Sequence, residues 1–119
     1  MRLSEYQKKA HATAIYPKII IIRKDGCKKD ISWVYPIISW IGEIGELCNG
    51  MKKVIRDDNF EISKEKLEQI KKEVGDCMWY NAEFCTSLKL KMNDVGLENI
   101  KKLQSRKKRG KVRGSGDNR

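Results

Sequence analysis

An all-α chain of about four helices is what this sequence predicts, and three observations carry that reading. Apolar residues recur at helical spacing over two long stretches, Val34, Ile37, Ile38, Ile41, Ile44 and Cys48, then Leu67, Ile70, Val74, Cys77, Met78, Cys85 and Leu88. Residues that favour helix starts stand where each helical pattern opens: Ser4, Ser32, Ser63 and Asn93. Only one stretch has strand character, the isoleucines at 19–22 followed by Asp25-Gly26.

Ser4 with Gln7 three residues on is a capping-box pattern, which predicts a first helix over about 5–15. Tyr16-Pro17 ends it, because the residue before proline is pushed out of the α region. The segment IIIIRKDGCKKD, residues 19–30, reads as a short hairpin. Ser32 caps a second helix over about 33–49, with Pro36 tolerated in its first turn and Gly50 as its end. A loop, KKVIRDDN, is expected at 52–59. Ser63 opens the third and longest helix, about 64–90. Asn93 caps a fourth over about 94–109, stopped by Gly110. The expected organisation is one domain over 1–110 and a basic, glycine-rich tail over 111–119.

Composition excludes several classes. The 119 residues suit a single domain, 39% are hydrophobic, and the mean hydropathy is −0.65. No apolar run approaches the ~18 residues that a membrane crossing needs. The opening MRLSEYQKKAHA lacks the apolar centre of a secretory signal. Cys27, Cys48, Cys77 and Cys85 form no C-x-x-C pair, and His11 is the one histidine, so no structural zinc site is expected. Dispersed thiols read as reduced, which points to a cytoplasmic protein. The net charge of +10 is uneven: residues 101–119 carry nine Lys and Arg against one acid, whereas residues 1–100 are nearly balanced. Such a tail suits a polyanion.

The acids are more specific. From Ile31 to Met51 the only charged residues are Glu43 and Glu46, in IGEIGEL. At i and i+3 they leave a helix on one side, with no Lys or Arg inside that helix to neutralise them. The third helix repeats the arrangement with Glu73 and Asp76 in KKEVGDCMWY, and Tyr80 and Glu83 extend that edge. Two antiparallel helices would bring four carboxylates to one centre. An all-oxygen site suits a hard divalent cation, and two Mg²⁺ would balance the four charges.

E-x-x-E, twenty-six residues, then E-x-x-D resembles the MazG-like family of all-α nucleoside triphosphate pyrophosphohydrolases, in its phage-type, small single-domain form. The likeness runs from about Tyr6 to the end, and ENIKKLQSRKKRG is similar to the family's last helix. It implies a MazG-like helical bundle completed by oligomerisation into a dimer or tetramer. It also implies hydrolysis of a (deoxy)nucleoside triphosphate to the monophosphate and pyrophosphate. Mg²⁺ would be the cofactor, with Mn²⁺ a substitute, and Glu43, Glu46, Glu73 and Asp76 would be metal ligands and catalytic residues. Asn99, Lys102 and Arg106 match the family's phosphate-facing positions. IIIIRKDGCKKD is longer than in the shortest members and bears on the entrance to the base pocket.

Further substrate-binding candidates rest on position. Lys52 and Lys53 follow the first acid pair by about two turns and read equally as phosphate groups or as a solvated face. Tyr80 lies one turn beyond Asp76, within reach of a phosphate or ribose oxygen or packed as a core tyrosine. Trp33 is a candidate to stack on a base, whereas Trp40 reads as core. His11 has no visible partner. Two other readings stay open: a related pyrophosphohydrolase restricted to dUTP, dCTP or phosphoribosyl-ATP, and a non-catalytic helical nucleic-acid binder using the basic tail.

Overall fold

The computed structural model describes residues 1–118. Four helices and one hairpin follow in order: α1 Leu3–His11, β1 Ile20–Ile22, β2 Lys28–Asp30, α2 Val34–Asp57, α3 Lys64–Ser87 and α4 Met92–Lys108. Helices α2 and α3 form the main pair; α1 packs on α3, and α4 packs on α1. No helix is long and apolar enough to cross a membrane.

The first helix starts and stops earlier than its spacing suggests. Its N-terminus is closed by Glu5, whose carboxylate accepts the Arg2 N–H at 2.8 Å, rather than by Ser4 and Gln7. Gln7 instead ties α1 to the α3–α4 turn, donating to Thr86 Oγ1 and Leu90 O and accepting from Met92 N. The helix ends at His11, where the Thr13 hydroxyl donates to Ala10 O and turns the chain before Tyr16-Pro17 is reached. The hairpin is antiparallel, with Ile20 opposite Asp30, Ile21 opposite Lys29 and Ile22 opposite Lys28. Gly26, at φ +81°, takes the left-handed position of its turn.

Helix α2 does not stop at Gly50; it runs on to Asp57, so Lys52 and Lys53 are helical rather than in a loop. Val54, 2% exposed, anchors the added turns, and its burial outweighs the ~1 kcal/mol that an interior glycine costs. The chain turns only at Asn59 and Phe60, both with positive φ. A Cβ at Gly50 would meet nothing within 4 Å, so Gly50→Ala should stabilise the protein by about 0.5–1 kcal/mol in a urea melt. Ser32 does not cap this helix either. Trp33 holds that position, while Ser32 Oγ accepts from Ile19 N and fastens the hairpin to α2.

Ser63 caps α3 as expected, accepting from Lys66 N at 3.1 Å, but the helix closes at Ser87, before Lys89 at φ +59°. Helix α4 begins at Met92 after Lys91. Asn93 is not its cap, because the Asn93 Oδ1 receives the Ser4 N–H. At the other end Gly110, at φ +64°, closes α4 with bonds from Gly110 N to Lys107 O and from Lys111 N to Arg106 O.

The hydrophobic core is small side chains for the most part: Ala10, Val54, Ala82 and Cys85, with Pro36 also buried. The isoleucine stripe of α2 faces outward instead, with Ile38 62% and Ile41 65% exposed. The accessible surface is 9633 Å², against ~6600 Å² for a compact chain of 13.8 kDa. The radius of gyration is 18.4 Å, against ~13.5 Å for a compact domain of this length.

Candidate active site

Each half of the site comes from one helix. On α2 each glutamate follows a glycine, Gly42 before Glu43 and Gly45 before Glu46, where no side chain stands above the backbone. On α3 Gly75 plays the same part beside Glu73 and Asp76. The two helices run antiparallel: Glu46 through Lys53 on α2 share a cavity with residues from Glu73 back to Lys66 on α3.

This pairing brings Glu43, Glu73 and Asp76 together, with one carboxylate oxygen from each within 4.8 Å of the others. Glu43 and Glu73 are half-buried and Asp76 is exposed. Glu46 lies outside this triad but adjoins it, on the wall of a cavity of about 320 Å³ that Glu73 also lines. Among the described residues none of the four carboxylates forms an ion pair. Burial, followed by the charges of Asp76, Glu46 and Glu73, raises the Glu43 carboxyl above its ordinary range. Burial, followed by the charges of Glu43, Asp76 and Glu73, raises the Cys77 thiol, and burial with Asp76 raises the Tyr6 phenol. Mutual repulsion without a compensating cation, in an all-oxygen donor set, fits a divalent hard metal ion.

The cationic candidates divide. Lys53 lines the 320 Å³ cavity together with Lys66 and Gln69, whereas Lys52 turns aside to the Asn49 Oδ1 at 3.2 Å. Lys66 and Gln69 were missed in the sequence, although Lys66 stands seven residues, two helical turns, before Glu73. Asn99 and Lys102 line a separate groove on α4 with Val95 and Glu98. Arg106 is 5% exposed and covered by the folded-back tail: its Nη2 donates to Gly116 O, Asp117 O and Asp117 Oδ1. Lys102 Nζ also reaches Asp117 Oδ1, and these two cations hold the Asp117 carboxyl below the usual carboxylate range.

The aromatic candidates divide as well. Tyr80 meets Trp79 edge-on at 4.9 Å, and Trp79 in turn meets Tyr16, which stacks on Tyr35 at 5.1 Å. Trp33 lines a larger cavity, about 620 Å³, at the α2 N-terminus, with His11, Tyr16 and Ser32 among its other walls.

Two expectations about α3 and α1 are overturned here. Glu83 does not extend the acidic edge; it is fully buried, 0% exposed. His11 does have a partner, since its Nδ1 lies 3.1 Å from Glu83 Oε2, and the Tyr16 hydroxyl donates to the same oxygen at 3.0 Å. Periodicity places Glu83 on the Asp76 side of α3, but only packing of α1 and the Tyr16 segment onto that turn reveals the burial.

The Gene 37 protein of Mycobacterium phage L5 is 39% identical over 119 residues, the whole of both chains. No solved structure matches the chain. The MazG nucleotide pyrophosphohydrolase domain matches residues 37–110, which contain both acidic motifs and the whole of α3 and α4. With both acidic motifs inside the matched region, this chain belongs to the MazG nucleotide pyrophosphohydrolase family.

Proposed function

We propose that the protein hydrolyses a nucleoside triphosphate to the monophosphate and pyrophosphate, with Mg²⁺ held by Glu43, Glu73 and Asp76. The observation that carries this reading is the triad itself: three carboxylates from two helices within 4.8 Å, without a basic partner among the described residues. A cation held there would polarise the phosphoanhydride and lower the pKa of a bound water. Glu46, beside the triad but outside it, would orient and deprotonate the attacking water, a role that its position on the wall of the shared cavity supports. Lys53 and Lys66 face the same cavity and offset charge on the triphosphate. Pyrophosphate release across the common NTPs and dNTPs, with Mg²⁺ and with chelator, tests this. Release that needs Mg²⁺ is expected; salt-sensitive DNA binding with no release would favour the nucleic-acid reading.

We also propose that the working form is a homo-oligomer. An extended radius, an excess of about 3000 Å² of surface and an outward isoleucine stripe support it. The excess is comparable with what an obligate interface buries. Light scattering at micromolar concentration should give a multiple of 13.8 kDa; the monomer mass would refute it.

A further inference from the structure

The buried carboxylate of Glu83 has no part in the mechanism above, yet it holds His11 and Tyr16, two walls of the cavity of about 620 Å³ at the α2 N-terminus. Its Oε2 receives two bonds, from Tyr16 OH at 3.0 Å and His11 Nδ1 at 3.1 Å, while its Oε1 is buried without a partner. Such a group is costly to keep unless its charge does something. A carboxylate only accepts hydrogen bonds, so the proton of a neutral His11 is held on Nδ1. The other ring nitrogen, Nε2, then carries a lone pair. The His11 side chain is 58% exposed and lines the cavity of about 620 Å³.

We infer that Glu83 is a positioning residue for specificity: by fixing the tautomer of His11, it makes this cavity accept a nucleobase bearing an exocyclic amino group in preference to one presenting a carbonyl there. The inference rests on the nucleotide reading and names the class of base. The hydroxyl walls are committed elsewhere, and among the described residues Asp30 is the one other wall that shares this pattern. Ser32 Oγ is taken by Ile19 N, Thr86 Oγ1 donates to Ala82 O, and Ser87 Oγ donates to Phe84 O. Asp30 accepts from Ser32 N, and its carboxylate is a further acceptor with the same preference for a donor-bearing ligand. Lys18 and Lys89 are exposed and supply positive charge at the rim. Trp33 gives an aromatic wall for stacking. The location suits one nucleotide spanning both places, because Glu83 lies seven residues, or ~10 Å of helix, from Asp76 on the same side of α3. The Tyr16 phenol, pushed up to about 12 by burial and by its bond to Glu83, remains a donor throughout the working range.

His11 is the sole histidine, so its ring nitrogens can be read by NMR in the whole ¹⁵N-labelled protein. The free protein should show the Nδ1–H tautomer. Deoxycytidine should perturb Nε2 and bind about tenfold more tightly than thymidine, the worth of one good hydrogen bond. In Glu83→Gln the amide can donate to Nδ1, the proton moves to Nε2, and the order of the two nucleosides should reverse. His11→Gln, whose amide both donates and accepts, should bind the two alike, and it serves if Glu83→Gln fails to fold. In turnover, the dCTP-to-dTTP preference should change through KM with kcat kept. An Nε2–H tautomer, equal nucleoside affinities in the parent, or an unchanged order in both variants would overturn the inference. Nucleoside discrimination without any pyrophosphate release would instead overturn the hydrolase reading and leave this one standing.

Discussion

Asp76→Asn should yield a folded protein that no longer hydrolyses nucleotide and no longer responds to Mg²⁺. Asp76 supplies one of three oxygens within 4.8 Å, and asparagine keeps the shape while removing the charge that a hard cation needs. A loss of at least about 10²–10³ in kcat is expected, the scale of removing one pre-organised electrostatic group. The parallel variant Glu43→Gln separates metal binding from simple disruption. The Glu43 carboxyl is raised above its ordinary range, so the folded state disfavours its charged form. The sign follows: between the unfolded and the raised folded value the native state holds more protons, so stability falls as pH rises through that window. Without metal, Glu43→Gln should therefore melt a few degrees higher than the parent at neutral pH and lose this part of the pH dependence. With Mg²⁺ the parent should gain in melting temperature and Glu43→Gln should not. Glu46→Gln should behave differently, losing turnover but keeping the Mg²⁺-induced shift, because Glu46 stands outside the triad. Near parental rates in Asp76→Asn at saturating Mg²⁺ would overturn the assignment.

Ile41→Glu should break the assembly. Ile41 is 65% exposed in the single chain and sits between Ile38 and Ile44 on the outward side of α2. If two copies cover this stripe, each charge would be buried without a partner, a penalty of several kcal/mol per site. The measured mass should fall to 13.8 kDa, with a melting transition well below the parent's. Ile15→Glu is the control, since that side chain is almost fully exposed and lies outside α2. An unchanged mass for Ile41→Glu would place the contact elsewhere.

The number and order of elements were legible in the sequence, as were the hairpin and the Ser63 cap, because each rests on local chemistry. The errors were at helix ends, where distant groups decide. Gly50 reads as a stop, but Val54 finds a buried site four residues later and the helix continues through the glycine. Ser4, Ser32 and Asn93 read as caps, yet Ser32 and Asn93 spend their side chains across elements, on Ile19 N and Ser4 N. The acidic motifs were visible as uncompensated charge, and three of the four carboxylates do converge. What the pattern could not show is which side of α2 turns inward. Apolar spacing normally marks the buried face, whereas here the acid-bearing side meets α3 and the isoleucines point away. The His11–Glu83–Tyr16 contact was equally hidden, since it joins residues 67 and 72 positions apart.

The hairpin carries a liability along with its structural role. Its first strand is three isoleucines in a row, all exposed, in a two-stranded ribbon that pairs with no third strand among the described residues. High β-propensity, no charge and a free edge are the ingredients of strand-to-strand aggregation between molecules. The register answers this residue by residue: Lys28, Lys29 and Asp30 stand opposite the isoleucines, so an incoming strand must approach a ribbon studded with charge. Three charged side chains outside the carboxylate site thus guard the ribbon. Neutralising Lys28 and Lys29 together would be felt first as turbidity on storage, with nucleotide turnover per soluble molecule unaltered.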